Sequence, residues 1–189
     1  MFKPLTSILT VFLLALTVSP VSADEYDDTI RIFKNAGASG FFFPSAFGYA
    51  VFPTIGKGGF VVGGSYGEGR VYENDRYVGD TTLIQVTAGW QLGGQAYSQI
   101  IFFEDQRAFD EFTRGNFEFG AEASAVAITA GASAAATTTG SSAGASGGRN
   151  DATTVGGYYK GMATFTVAKG GLMYAATLGG QKFTFKPAR

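Results

Sequence analysis

The chain has 189 residues, 14 Lys and Arg against 15 Asp and Glu, a net charge of -1, and neither Cys nor His. This charge balance argues against a nucleic-acid binder, which needs a basic surplus to neutralise phosphates. Without Cys or His, disulfides, thiolate metal sites and cysteine nucleophiles are excluded, and the commonest general base is missing. We therefore predict a protein that is not an enzyme and that carries no metal or other cofactor.

The length is that of one domain of ordinary size. Glycine contributes 28 residues, about twice its ordinary usage. Hydrophobic residues make up 46% and aromatic residues 15% of the chain, which is too apolar for a disordered protein. Together these values predict a β-rich fold with tight turns and close backbone approaches.

Residues 1–23 have the pattern of a secretory signal peptide. Lys3 supplies the positive start, a mostly apolar stretch covers 5–18, and small residues precede a cleavage point after Ala23. The alternative is an uncleaved anchor, but the apolar stretch is shorter than the roughly 20 residues that cross a bilayer. We predict export to the periplasm, the cell envelope or the medium, with 24–189 as the mature domain.

The first mature segment predicts a helix over about 25–36. Acidic residues fill its first turn, where they suit the positive end of the helix dipole, and Gly37 ends it. Three consecutive aromatic residues, Phe41–Phe43, follow before a proline. We expect them to pack a connecting segment onto the core, the alternative being a membrane-inserting tip.

Alternating residues predict strands in the next part of the chain. A short extended segment ends at Pro53, and 58–73 then alternates large side chains with small ones such as Gly67 and Gly69. The following strand places Ile84 and Val86 on one face and polar residues on the other. This pattern is typical of an antiparallel sheet with one wet face, and it predicts burial of the apolar set.

The second half of the chain predicts another helix and a return to strands. The helix begins at about 104 and ends near Gly115, and strands resume over 157–185. Between them, 131–150 is a low-complexity loop of Ala, Ser, Thr and Gly. The predicted fold class is α+β, mostly antiparallel β, with a β-rich core (a sandwich or a partly closed barrel) and two or three flanking helices.

Several sequence blocks in order resemble the SYLF (Ysc84-like) family. The blocks are Phe-Gly-Tyr-Ala-Val-Phe-Pro at 47–53, Gly-Lys-Gly-Gly-Phe at 56–60, Gly-Gly-Ser-Tyr-Gly-Glu-Gly at 63–69, Gly-Trp-Gln-Leu-Gly-Gly-Gln-Ala-Tyr-Ser at 89–98, Phe-Asp-Glu-Phe at 109–112 and Lys-Gly-Gly-Leu-Met-Tyr at 169–174. The resemblance implies a phospholipid-binding domain. Eukaryotic members couple it to actin, which is not an expected partner of an exported chain.

A repeated Lys-Gly-Gly motif supplies the candidate binding residues. Lys57, Gly58 and Gly59 form one copy, and Lys169, Gly170 and Gly171 form the other. We predict that the two lysines lie on the same side of the domain, where ammonium groups beside free backbone N–H groups would attract a phosphate headgroup. The simpler reading is two solvated lysines in turns. A nucleotide loop is not expected, because the motif lacks the P-loop spacing.

We predict that the chain binds lipid or a membrane surface without catalysing a reaction. A phospholipid or membrane surface is the expected partner, with no nucleic acid or nucleotide, and the sequence does not identify a protein partner. The alternative is a small outer-membrane β-barrel or a structural envelope protein, which high glycine content and alternating aromatic strands also fit.

Overall fold

The computed structural model of the chain describes residues 24–59, 62–88, 95–120, 123, 125–128, 157–169 and 178–189. The predicted signal peptide and the loop at 131–150 lie outside these residues. The helices are α1 (Glu25–Asn35), α2 (Gly37–Gly40) and α3 (Gln106–Thr113). The strands are β1 (Gly48–Gly59), β2 (Val62–Glu73), β3 (Arg76–Ala88), β4 (Gln95–Phe103), β5 (Val126–Ile128), β6 (Met162–Lys169) and β7 (Gln181–Pro187). None of the helices within the described ranges is long and apolar enough to cross a membrane.

The described strands form one sheet in the order β5-β6-β4-β1-β2-β3-β7. Every neighbouring pair is antiparallel except β5 and β6, which run parallel. The predicted class, α+β and mostly antiparallel β with flanking helices, is confirmed. The sheet is not closed, since its two outermost strands, β5 and β7, do not pair with each other in the part of the chain that the structure describes.

The sheet curls strongly, so that side chains of strands far apart in the order meet. Strands β4 and β7 are separated by three others, yet the Gln99 amide nitrogen donates to the Gln181 side-chain oxygen over 3.0 Å. The rings of Phe52 on β1 and Phe183 on β7 lie 5.7 Å apart between centroids. We call the concave side that holds these residues the inner face, and the opposite side the outer face.

Strand β1 continues through Pro53, where the sequence predicted an end. Its pairing register shifts between Val51 and Thr54 on the β2 side and between Phe52 and Ile55 on the β4 side. A bulge of this kind accommodates a proline, which has no N–H to give to a ladder. The Pro53 carbonyl accepts a hydrogen bond from the Ser98 hydroxyl over 2.6 Å. Lys57 and Gly58 therefore lie in the end of a strand.

Glycines on β2 allow the tight inner packing that the alternating pattern predicted. A Cβ at Gly67 would lie 2.6 Å from the Ile55 side chain, and one at Gly69 would lie 2.6 Å from the Phe52 ring. Both distances are shorter than any ordinary carbon contact. The missing side chains thus provide the room in which the large residues of β1 cross over β2.

The predicted burial of β3 is wrong, because its faces are inverted. Ile84 and Val86 are 50% and 72% exposed, whereas Gln85 is buried on the inner face. The Gln85 amide donates to the Gly179 carbonyl over 2.9 Å, so its burial leaves this donor satisfied. Leu83 occupies the same inner face and is fully buried, which fixes the register of the strand.

Two helices cover opposite faces of the sheet. Helix α1 is capped by the Asp24 carboxylate, which accepts from the Tyr26 N–H over 3.2 Å, and it buries Ile30 and Phe33 on the outer face. Helix α3 buries Phe112 against Phe183 on the inner face. The bounds of both helices agree with the predicted ones to within a few residues.

Candidate functional site

The two motif lysines lie at the same end of the sheet but on opposite faces. Lys57 pairs with Gln95 of β4, and Lys169 pairs with Ala96, the next residue of that strand. Consecutive residues of a strand point to opposite faces, and paired residues share a face. Lys57 also pairs with the buried Ser65, which places it on the inner face. The prediction that the two lysines lie on one side of the domain is therefore wrong.

Lys169 has partners on the outer face. Its ammonium lies 3.0 Å from a Glu25 carboxylate oxygen and 2.6 Å from the Thr54 hydroxyl. The Thr54 hydroxyl in turn donates to the same carboxylate over 2.7 Å. The hydrogen bond from Thr54 lowers the pKa of Glu25, and the hydrogen bond from Lys169 lowers it further. These contacts attach the first turn of α1 to β1 and β6.

Two of the four motif glycines, Gly58 and Gly59, lie in the part of the chain that the structure describes. Gly58 is exposed, and a Cβ there would meet no atom within 4 Å. Gly59 is the last residue of β1. Gly170 and Gly171 lie outside the described residues.

Arg70 of β2 makes a second attachment for the start of α1. Its guanidinium pairs with the Asp24 carboxylate and lies 4.1 Å from the centroid of the Tyr26 ring. The hydrogen bond from Arg70 lowers the pKa of Asp24. A carboxyl group with a lowered folded-state pKa stabilises the fold above its unfolded pKa, and this contribution is lost as pH falls through the folded value.

We expect Arg70→Gln to destabilise the protein at neutral pH and to raise the pKa of Asp24 toward its ordinary value. The difference in unfolding free energy between the two proteins should shrink as the pH falls below the ordinary pKa of Asp24 and through its lowered folded-state value, because Asp24 becomes neutral in both proteins over that range. Urea unfolding at several pH values and an NMR titration of the carboxyl carbon measure the two effects. A stability difference that is constant with pH would mean that Arg70 acts by packing on Tyr26 alone.

The aromatic run after α2 divides into one buried ring, one partly buried ring and one exposed ring. Phe42 is buried, and its centroid lies 5.1 Å from those of Tyr158 and Phe165. Phe43 packs 4.9 Å from Phe102. Phe41, in contrast, is 81% exposed, more than any other large hydrophobic residue in the described part of the chain. We predicted that all three rings pack on the core, and the structure shows this packing for Phe42 and Phe43 but not for Phe41.

Two exposed cations lie beside rings that are connected to the aromatic run. The Lys34 ammonium is 5.1 Å from the Phe43 centroid and 3.9 Å from an Asp75 oxygen. The Lys160 ammonium is 5.3 Å from the centroid of Tyr159, which is 46% exposed and follows the ring that packs on Phe42. We call Phe41, Lys34, Tyr159 and Lys160 the aromatic tip. Sequence reasoning identified its aromatic run but not its lysines, which reach it only through the fold.

A family profile and an individual protein are similar to this chain in sequence. Residues 84–187, more than half of the chain, match the sequence profile of the family described as Ysc84, Las17-binding protein actin regulator. The protein called Beta cell expansion factor A from Aeromonas veronii is 28% identical over 159 residues, which cover 82% of this chain and 51% of that protein. The chain thus spans about half the length of that curated relative.

The fold defines a small α+β domain that exposes the aromatic ring of Phe41. Within the described ranges, no three Asp or Glu side chains are grouped so that they would hold a metal ion. The profile match establishes the family: the chain belongs to the Ysc84 (SYLF) family. The predicted resemblance is confirmed.

Proposed function

We propose that this chain is an exported domain that binds phospholipid surfaces through the aromatic tip and catalyses no reaction. The observation that carries the proposal is Phe41, an exposed ring whose two neighbours, Phe42 and Phe43, are fixed in the core. A rigidly mounted aromatic residue enters the membrane interface with little loss of conformational freedom. Lys34, beside the Phe43 ring, and Lys160, beside the Tyr159 ring, have the charge that anionic headgroups attract.

Rough magnitudes support weak, reversible attachment. Burial of one Phe side chain contributes about 1.5–3 kcal/mol. Each cation near an anionic membrane surface adds about 1 kcal/mol, and this part is screened by salt. Lys34 and Lys160 together with Phe41 therefore provide an affinity that responds to lipid charge and to ionic strength.

We expect Phe41→Ser to weaken binding to phosphatidylglycerol-containing vesicles by about tenfold to a hundredfold, as follows from the loss of one buried ring. Vesicle flotation of the purified protein measures the bound fraction, with phosphatidylcholine vesicles and raised salt as comparisons. Ile32→Ser is the matched control, since Ile32 is 49% exposed on α1 and lies outside the tip. Circular dichroism checks that both variants fold.

A second pair of substitutions separates the tip from the motif lysines. Lys57 and Lys169 lie at the opposite end of the sheet from Phe41. We therefore expect the double variant with Lys57→Glu and Lys169→Glu to retain vesicle binding. Loss of binding in the folded lysine variant, with normal binding in Phe41→Ser, would move the lipid site to the lysines. Absence of binding by the unmodified protein at low salt would refute the lipid-binding function itself.

A further inference from the structure

The first turn of α1 places two carboxylates against polar groups on the outer face of the sheet. Glu25 accepts hydrogen bonds from the Thr54 hydroxyl over 2.7 Å and from the Lys169 ammonium over 3.0 Å. Its neighbour along the chain, Asp24, pairs with the Arg70 guanidinium. We call Thr54, Arg70 and Lys169 the docking groups. They come from three different strands, β1, β2 and β6, and converge on the start of α1.

The docking groups have the chemistry of an anion site. The Thr54 hydroxyl and the Lys169 ammonium donate to the same oxygen, Oε1 of Glu25, and lie 2.6 Å from each other. A phosphate group offers acceptor oxygens of the same kind with equal or greater negative charge, and Arg and Lys are its usual partners in proteins. The carboxylates of Asp24 and Glu25 therefore occupy the positions that phosphate oxygens would take.

The contact at the start of α1 is weakly held. The side chains of Glu25 and Lys169 are 61% and 40% exposed, and ion pairs with this exposure contribute little net stability. Further along the helix, Ile30 and Phe33 are buried against the sheet. The first turn can therefore open while the rest of α1 stays in place, since helix ends fray at low cost.

Two other carboxylates lie beside the docking groups. Glu68 pairs with Thr54 across β1 and β2, and Asp80 pairs with Arg70 across β2 and β3. Each accepts a hydrogen bond from a tyrosine hydroxyl of its own strand, over 2.8 Å in both cases. These acids lower the positive potential at Arg70, so we expect a phosphate group to be held mainly by Lys169 and Thr54.

We propose that the docking groups form a phosphate-binding site that the first turn of α1 closes. In the closed arrangement, the Asp24 and Glu25 carboxylates hold the two cations, and a phosphate group binds when this turn opens. Binding and opening are coupled, because Lys169 contacts a phosphate group only after its contact with Glu25 is broken. The site lies at the opposite end of the sheet from the aromatic tip and does not rest on the proposed function.

Two double variants with the same change in net charge test the closing contact. Asp24→Asn with Glu25→Ala, the opened variant, removes both docked carboxylates and keeps a good helix cap, because Asn caps helices as well as Asp. Asp27→Ala with Asp28→Asn is the matched control: it removes two carboxylates from the same turn, and Asp28 pairs with Arg31 inside α1. Melting curves check that both fold, and Glu25→Ala alone replaces the opened variant if that protein is unfolded.

Inorganic phosphate at constant ionic strength is the first probe, with the NMR shifts of the Thr54 and Lys169 amide groups as the readout. We expect the opened variant to have a dissociation constant about threefold to tenfold lower than the control variant, the effect of one or two exposed ion pairs. Adding Lys169→Gln should abolish this gain, whereas adding Lys182→Gln, at another exposed lysine, should not. No membrane is present, so the result is independent of the proposed lipid function.

Vesicle flotation identifies the source of the phosphate group. A gain in binding of the opened variant to phosphatidylglycerol vesicles assigns the site to a lipid headgroup, and a gain with inorganic phosphate alone assigns it to a free phosphate. Equal affinities of the opened and control variants for both probes would overturn the proposal, because net charge would then explain all binding. A gain that persists with Lys169→Gln would overturn it as well.

Discussion

Replacing Gly69 with Ala is expected to lower the free energy of unfolding by about 3 kcal/mol, the upper end of the range for overpacked cores. The new methyl group would lie 2.6 and 2.7 Å from two carbons of the Phe52 ring and 2.8 Å from the Val51 carbonyl oxygen. Phe52 is fully buried and packs on Phe183, so its ring has no free space to enter. Chemical denaturation followed by fluorescence or circular dichroism measures the loss.

Gly56→Ala is the matched control for this substitution. Gly56 lies on the outer face of the neighbouring strand, and a Cβ there would meet no atom within 4 Å. We expect its unfolding free energy to stay within about 0.5 kcal/mol of the original value, or to rise slightly because alanine restricts the unfolded chain. Equal losses at both positions would show that glycine is needed for backbone reasons rather than for close packing.

Phe183→Ala is expected to cost about 3–5 kcal/mol, the range for removing a buried ring from a core. Phe183 is 1% exposed and contacts rings from the sheet, from α3 and from the segment after α3. It connects the two sides of the curled sheet, so its loss leaves a cavity at the centre of the inner face. Total stabilities of small domains are about 5–15 kcal/mol, and a loss of this size threatens folding at 37 °C.

Phe41→Ala provides the comparison, because it removes the same atoms from an exposed ring. With 81% of Phe41 already exposed, we expect a change within about 0.5 kcal/mol. Thermal and urea unfolding of the two variants side by side measure the contrast. Similar losses for both would contradict the division of the aromatic residues into a packed core and an exposed tip.

The faces of the sheet on which Lys57 and Lys169 lie could not be predicted from the sequence. The repeated Lys-Gly-Gly motif predicted lysines in turns, whereas Lys57 and Lys169 lie in the last residues of β1 and β6, at the same end of the sheet. Whether the two lysines share a face depends on the residues of β4 with which they pair. Lys57 pairs with Gln95 and Lys169 with the next residue, Ala96, so the two lysines lie on opposite faces. A shift of one residue reverses the face of every side chain in a strand, and no local pattern in β1 or β6 specifies their pairing with a third strand.

The faces of β3 were mispredicted for a related reason. Alternation shows which residues share a face, but it does not show which face is covered. Gln85 is buried because Gly179 and the residues of β7 provide its surroundings, and these are distant in sequence. Ile84 and Val86 are exposed because, among the described elements, α1 covers β1 and its neighbours instead.

The sequence by itself determined the features that depend on neighbours along the chain. Acidic residues and Asp24 specify the start of α1, alternating residues specify the strands, and Gly67 and Gly69 mark where another strand's side chains pack closely. Only the tertiary structure decided the curl that joins Gln99 to Gln181, the opposite faces of Lys57 and Lys169, and the exposure of Ile84 and Val86. These depend on pairing between strands far apart in sequence, where register and coverage are set by the whole sheet.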